Sequence, residues 1–461
     1  MTASPATAPA DAADAPDAPA HTTRTAGGTT GAAQPTGAGD GRGLLVVDLD
    51  RDLLPSDLLH EAVSSLVLSR PRFALRALLR DGTSATRLAA TVAPQAGVDV
   101  TTLPYDGELL RTLHERRDRG EEVVLTARRT APWAAAVATH LGCFERIVLA
   151  DGQQAVEGQR PAGRRRPRRM PALLHALRPH QWLKNLLVLV ALFTAQKIEH
   201  LALTLNALEM LVAFCLVSSS VYLLNDLADI GADRHHPVKR SRALASGSLD
   251  VRSAWLAWPL LLAAGVTLAF AALPLDACLW LLSYYFGTLL YTFSAKRQPI
   301  LDVIVLAGLY TVRIIGGAAA IGVPVSIWLL TFSMSIFTSL ALVKRVSELT
   351  QVAQSGGELR GRGYQLRDLG TLKSLGVTAS YAAVVVLALY VHDPATSRLY
   401  DTPSILWLVV PVMLYWSSRL WLLADRGEIN EDPLLFATHD RVSYLVLLTT
   451  AAAFVAAKFI G

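Results

Sequence analysis

Cysteine is scarce in this chain. Cys143, Cys215 and Cys278 are the only three in 461 residues, and they lie too far apart for a disulfide framework or a zinc site. Charge is scarce as well, at 18% of residues against 52% hydrophobic, with mean hydropathy +0.35. Soluble domains carry about 25% charged residues, so the composition excludes an ordinary soluble protein and points to a membrane protein. Residues 1–43 lack large apolar side chains and cannot bury enough surface to fold, so they read as a disordered tail. They also lack the apolar run of a secretory signal.

A small soluble domain, 44–152, follows the tail. The run 44–47 reads as a buried strand ending at Asp48, Leu49 and Asp50. A second strand at 122–125 ends at Thr126, and 147–152 supplies a third. Residues 72–79 and 133–141 read as helices between them, giving an α/β pattern with polar residues at strand ends. This layout resembles the haloacid-dehalogenase-like (HAD) hydrolase family, whose nucleophilic Asp, acid/base Asp and phosphate-binding Ser/Thr fall at Asp48, Asp50 and Thr126. Arg51 and Asp52 depart from that family's motif. After Asp151 the chain leaves no room for its Lys and later acidic pair, so the domain reads as a truncated, catalytically silent remnant.

Residues 153–172 form a Gly-, Pro- and Arg-rich linker containing Arg160, Arg164, Arg165, Arg166, Arg168 and Arg169. A basic block before a membrane segment reads as a topology determinant resting on anionic headgroups. Without an aromatic platform or a folded basic domain it does not suggest a nucleic-acid partner. The remainder, 173–461, is membrane domain, with apolar runs near 184–198, 204–224, 253–272, 275–293, 300–321, 326–343, 374–391, 403–423 and 442–460. The expected fold is thus an all-α polytopic membrane bundle of about nine helices behind a small α/β domain. Lys and Arg crowd the connections after the second, fourth, sixth and eighth runs, while the alternate connections show little beyond Lys197 and Arg398. This asymmetry places the N-terminus on the cytoplasmic side of an inner-membrane protein, with the C-terminus outside.

The stretch 225–247, NDLADIGADRHHPVKRSRALASG, carries the most chemistry. On a helix Asp226, Asp229 and Asp233 fall within roughly 60° of one face. Carboxylates so close repel unless a cation lies between them. Mg²⁺ suits them because it takes a few carboxylates, keeps some waters and completes its octahedron with phosphate oxygens. Lys239, Arg240 and Arg242 follow, and guanidinium forks match phosphate geometry. A merely solvated loop is the bland alternative, but carboxylates at a membrane helix end are costly unless used.

Other polar residues exceed what an anchor needs. Asp302 and Arg313 lie on nearly one face of the fifth run, deep enough that Arg313 should meet an anion, a structural ion pair being the alternative. Lys344, Arg345 and Glu348 end the sixth run, with Lys344 and Glu348 at i,i+4. Tyr291 and Lys296 close the fourth. Trp182, Lys184 and Asn185 open the first, where interfacial anchoring alone would explain them. Acidic and basic clusters at one face suggest one mouth shared by a metal diphosphate and a second anion.

From about Arg178 onward the chain resembles the UbiA superfamily of intramembrane prenyltransferases, whose first motif, NDxxDxxxD, is matched by Asn225, Asp226, Asp229 and Asp233. It is most similar to the decaprenyl-phosphate phosphoribosyltransferase branch, through RPHQWLKN at 178–185, the stretch from Val221 to Gly247, and Lys344-Arg345 with Glu348. The superfamily's second motif, an Asp-rich DxxxD, is replaced here by KRVSE at 344–348. Two polyanions held together would gain from that exchange.

The resemblance implies Mg²⁺-dependent transfer of a phosphoribosyl group from phosphoribosyl diphosphate to a polyprenyl phosphate at the cytoplasmic face, in cell-envelope glycolipid precursor synthesis. Asp226, Asp229, Asp233, Lys344 and Arg345 would form the catalytic set, the three aspartates holding the metal with help from Asn225. Lys239, Arg240 and Arg242 would hold donor phosphates, and Lys344, Arg345 and Arg313 the lipid phosphate. Lys184, Lys296, Asp302 and Glu348 complete the expected substrate-binding residues. Partners are membrane lipids, an isoprenoid lipid and a phosphorylated sugar donor, and assembly with further copies of the chain is left open. The alternatives are a UbiA-type prenyltransferase acting on an aromatic or other small acceptor and, from another class, a transporter or scaffold. No convincing inverted repeat or broken helix pair supports the last.

Overall fold

The structure is a computed structural model that describes residues 43–149, 159–161, 169–355, 363–429 and 432–460. The expected tail 1–43 apart from Gly43, most of the linker 153–172 with Arg164, Arg165, Arg166 and Arg168, Asp151, and two of the cations expected after the sixth apolar run, Arg360 and Arg362, lie outside the described residues.

The three apolar runs form parallel strands β1 (Leu44–Asp48), β2 (Glu122–Ala127) and β3 (Arg146–Leu149), in the order β1-β2-β3. Val47, Val123 and Leu125 are fully buried, as parallel strands covered on both faces require. Helices α1 (Leu58–Ser69), α2 (Pro71–Asp81), α3 (Ala85–Ala96), α4 (Gly107–Asp118) and α5 (Ala131–Leu141) complete this α/β unit. Asp48 stands opposite Thr126 in the β1–β2 register, so the polar residues meet at the carboxyl edge of the sheet.

The membrane part contains α6 (Arg169–Ala176), α7 (Val190–Thr194), α8 (Leu201–His235), α9 (Val251–Ala272), α10 (Leu275–Phe293), α11 (Leu301–Ala320), α12 (Ile327–Ser355), α13 (Leu369–His392), α14 (Pro394–Ser397), α15 (Val409–Asp425), α16 (Pro433–Ala437) and α17 (Arg441–Phe459). Seven helices among the described residues are long and apolar enough, by length and composition, to cross a bilayer, and they account for seven of the about nine expected runs. The two other expected spans are built differently. α10 carries Asp276, Tyr284, Tyr285, Tyr291 and two threonines within 19 residues. The first run is mostly a 3-10 helix, Pro179–Leu189, continued by α7. At about 2.0 Å per residue in 3-10 geometry and 1.5 Å in α geometry, these 11 and 5 residues reach roughly 30 Å, about a hydrocarbon core.

That segment runs antiparallel to α8. Leu177 accepts a bond from Ser219, Trp182 donates to the same hydroxyl, Asn185 donates to Ser218, and Leu192 packs with Ala207 and Ala318 near the far end. α8 has 35 residues, about 52 Å at the usual rise, so its last turns extend beyond an apolar core of about 30 Å. It ends at His235 because His236 precedes Pro237 and takes the extended backbone that such a position favours.

Gly317 admits the 3-10 segment, since a Cβ there would lie 1.8 Å from the Val188 carbonyl oxygen. Gly317→Ala is expected to push the segment off α11 and cost about 2–3 kcal/mol. Thermal unfolding in detergent measures this, and an unchanged midpoint would refute the contact.

Candidate functional site

The carboxylate helix end comes first in construction. Asp226 and Asp233 are each only 3% exposed, and a buried carboxylate must be paired. Asp233 accepts from Arg242 Nη1 at 2.7 Å, and the same nitrogen lies 3.5 Å from Asp226, so both carboxylates converge on one cationic atom. Asp226 also pairs with Arg178, which opens the 3-10 segment with φ of +53°. That backbone region is uncommon for a residue with a side chain, and the ion pair helps hold it there. Asp229 receives Lys296 at 3.2 Å on both oxygens. Asn225 Oδ1, next to Asp226 in the chain, is buried with no hydrogen-bond partner among the described residues.

No three His, Cys, Asp or Glu side chains among the described residues are clustered as a ready metal site. The donor types nevertheless suit Mg²⁺: Asp226 and Asp233 converge on Arg242 Nη1, and with the Asn225 amide oxygen they offer the kind of oxygen ligands that a hard cation takes.

The basic corner differs from expectation. Arg345 is fully buried and spends its guanidinium on Asp302 at 2.6 Å, Glu348 at 2.6 Å and Tyr291 at 3.0 Å. Tyr364 donates to the other Asp302 oxygen at 2.5 Å. Arg345, Asp302 and Glu348 therefore lock α12 to α11 and, through Tyr291, to α10, with each of the three Arg345 guanidinium nitrogens donating to a protein acceptor. Arg313 does not meet Asp302 either. It donates to Asn185 Oδ1 at 2.9 Å, the Leu309 carbonyl at 2.6 Å and the Tyr284 hydroxyl at 3.0 Å, and stacks on Tyr284 and Tyr310. The expected anion is replaced by neutral acceptors and aromatic faces. Asn185, 1% exposed, bridges Ser218 and Arg313, so it is an internal strut rather than an interfacial anchor.

Lys344 turns from Glu348 to Asp432. Asp432 Oδ2 accepts from Lys184 at 2.7 Å and from Lys344 at 3.1 Å. Burial would raise its pKa, but the two ammonium groups outweigh this and hold it far below the usual carboxylate range. Lys184 also lies 5.8 Å from the Tyr310 ring centroid, and Arg313 lies 5.4 Å from the same centroid, so the lysine hub and the buried arginine share one aromatic ring.

Both clusters occupy one end of the bundle. Lys296, four residues before Ile300 in the α10–α11 turn, reaches Asp229, while Tyr291 at the end of α10 holds Arg345. The Glu348 charge also acts on His236, the residue after the acidic helix. Lys239 and Arg240 form a 3-10 turn on the same loop as Arg242.

Sequence reasoning missed Arg178 and Asp432 as site residues. Arg178 stood within the RPHQWLKN stretch, which was a usable signal. Asp432 is a single acidic residue in a loop, 248 positions from Lys184, and has no local signature.

A profile of the UbiA prenyltransferase family matches residues 185–447. The chain belongs to that family. It is accordingly a transferase and an integral membrane protein. An uncharacterised protein of Sinorhizobium fredii is 30% identical over 470 residues, covering 90% of each chain. A nodulation protein of Azorhizobium caulinodans is 37% identical, covering 60% of this chain and 90% of its own. A decaprenyl-phosphate phosphoribosyltransferase of Mycolicibacterium smegmatis is 30% identical, covering 60% and 89%. A UbiA homologue of Archaeoglobus fulgidus, solved with GPP and Mg²⁺, is 19% identical and covers 62% of this chain and 99% of its own, with a TM-score of 0.48.

In the α/β unit, Asp48, Asp50 and Thr126 line one cavity of about 640 Å³ with Arg51, Arg128 and Arg129. Asp50 Oδ2 accepts from the backbone N–H groups of Arg128 and Arg129 at 3.1 and 3.0 Å. Burial, with Asp50 and Asp52 close by, pushes the Asp48 carboxyl up.

Replacing Asp432 with asparagine leaves a nearly dry Lys184 ammonium and a part-exposed Lys344 ammonium facing each other without their carboxylate and is expected to cost about 3 kcal/mol. Because the folded pKa is depressed, this stabilisation is present above the unfolded value near 3.9 and fades as pH falls through the folded one. The gap in unfolding free energy between wild type and Asp432→Asn should thus be flat from about pH 5 to 8 and close in acid. A gap that opens or shuts near neutrality would contradict the assignment.

Proposed function

We propose that the protein transfers a phosphoribosyl group from phosphoribosyl diphosphate to a polyprenyl phosphate, with Mg²⁺, at the cytoplasmic face of the membrane. The observation that carries this reading is the lysine hub: Lys184 and Lys344 share Asp432 at the same end of the bundle as the carboxylate helix. Two lysines on one carboxylate leave a net positive charge beside an oxygen-rich cation site, which suits two phosphorylated reactants at once. The relatedness to a decaprenyl-phosphate phosphoribosyltransferase supports the same choice. The Lys/Arg asymmetry of the connections supports the cytoplasmic assignment.

Asp226, Asp229, Asp233 and Asn225 would hold Mg²⁺, which when bound neutralises charge on the departing diphosphate. Arg242, Lys239 and Arg240 orient the donor's phosphates. Lys184 and Lys344 hold the lipid phosphate, whose ionised oxygen attacks the anomeric carbon without a general base. The bond from that carbon to the diphosphate oxygen breaks as the new bond to the lipid phosphate oxygen forms, and diphosphate leaves with both bonding electrons. Arg345 fixes the end of α12 that carries Lys344, while Arg313 and Asn185 brace the 3-10 segment that carries Lys184. Catalysis on this reading is positioning plus electrostatic stabilisation of an oxocarbenium-like state.

Purified protein incubated with labelled phosphoribosyl diphosphate, Mg²⁺ and a panel of polyprenyl phosphates should place label in the lipid phase. Asp226→Asn is expected to lower the rate at least about a hundredfold, and chelation should abolish turnover. Turnover restricted to a polyprenyl diphosphate with a phenolic acceptor would replace this reading with prenyl transfer.

A further inference from the structure

The α/β unit packs against the polar end of the bundle, and the contact is more elaborate than attachment requires. Arg234 follows Asp233 directly. Its two terminal nitrogens reach Glu61 on α1, each at 2.8 Å, and the pair is nearly dry, with 6% and 5% side-chain exposure. Ser56 donates to the same Glu61 carboxylate. The remaining Arg234 donor, Nε, reaches the Ala245 carbonyl at 3.0 Å. A single guanidinium thus ties together the acidic helix, the α/β unit and the loop 238–250.

That loop carries Lys239, Arg240 and Arg242, and Arg242 reaches Asp226 and Asp233. Its return is clamped from the α/β side. Gly247 has φ of +71°, and a Cβ there would lie 2.4 Å from Pro55 Cγ. On the other side Ala243, Leu244 and Leu249 are buried against Leu223, Leu227 and Ile230 of α8. Two further bonds extend the seam, Arg252 Nε to His60 Nε2 at 2.7 Å and Trp255 Nε1 to Ser64 Oγ at 2.9 Å.

We propose that Glu61 is a positioning residue for diphosphate binding, acting through Arg234 and the Ala245 carbonyl to hold the cationic loop over the carboxylates. The α/β unit then serves the transferase as a fixed template for its phosphate loop, independently of any chemistry in its own cavity. The inference rests on the reading of 238–250 as a diphosphate-binding loop. The geometry supplies the physical reason: a long loop bearing three cations would otherwise sample many arrangements, and ordering it in advance lowers the entropic cost of binding.

Inorganic diphosphate with Mg²⁺, titrated calorimetrically into the full chain in nanodiscs, probes the loop whatever the sugar donor is. Glu61→Gln should weaken binding about tenfold. In turnover, KM for the diphosphate donor should rise by a similar factor with kcat nearly unchanged. Arg234→Lys keeps a cation for Glu61 but cannot hold the Ala245 carbonyl at the same time, so it should weaken diphosphate binding while leaving the melting temperature near that of wild type. Asp99→Asn, which alters the exposed contact with His235 in the same seam, should bind as wild type does. Wild-type affinity in both Glu61→Gln and Arg234→Lys would overturn the inference, as would an equal loss in Asp99→Asn. Absence of Mg²⁺-dependent diphosphate binding by wild type would sink the loop's assignment itself. A different sugar donor would sink only the phosphoribosyl reading.

Discussion

A carboxylate leaves water only when a cation or several donors go with it, because desolvating an unpaired charge costs more than a membrane bundle can recover. Asp226, Asp233, Asp302 and Asp432 are all nearly dry, and each meets a Lys or Arg from a different element. The pairing therefore does two things at once. It makes burial tolerable, and it ties the 3-10 segment, α8, the 238–250 loop, α12 and the loop before α16 to one another. The polar end is rigid for the same reason that it is charged.

The division of labour among the cations follows from how many donors remain. Arg345 and Arg313 are consumed by protein acceptors, so they act as braces beneath the surface. Lys184 and Lys344 share one carboxylate between two ammonium groups, which leaves positive charge in excess at that end of the bundle. Arg242 meets two carboxylates with one nitrogen, an arrangement that a competing divalent cation or a phosphate could readily rearrange. The 3-10 run contributes by economy: its longer rise lets few residues carry Arg178 to Asp226 and Asn185 to Ser218 along α8 while Lys184 reaches Asp432.

The α/β unit belongs to this scheme through Arg234, which has spent all its geometry on cross-linking. The Sinorhizobium relative aligns over 90% of both chains, well beyond the 185–447 membrane core, so the fused arrangement is not confined to this chain. Arg129, which lines the sheet-edge cavity, pairs with Asp57, the residue that caps α1.

Much of the architecture was legible from local pattern. Apolar runs of spanning length, the alternation of Lys/Arg between connections, the carboxylates at i, i+3 and i+7 and the three strand signals are all properties of neighbouring residues, and neighbours share a helix or strand whatever the rest of the chain does. Partner choice was not legible. Lys344 with Glu348 and Asp302 with Arg313 are pairs that helical spacing allows, yet the structure joins Lys344 to Asp432, Asp302 to Arg345 and Arg313 to Asn185. Buried charges pair with whichever opposite charge or acceptor packing brings within reach, and that depends on how separate helices meet. By itself the sequence determined the membrane bundle, its α/β preface and the acidic face at the end of α8. Only the tertiary structure decided which cations remain available to a substrate, because that is settled by contacts between residues far apart in the chain.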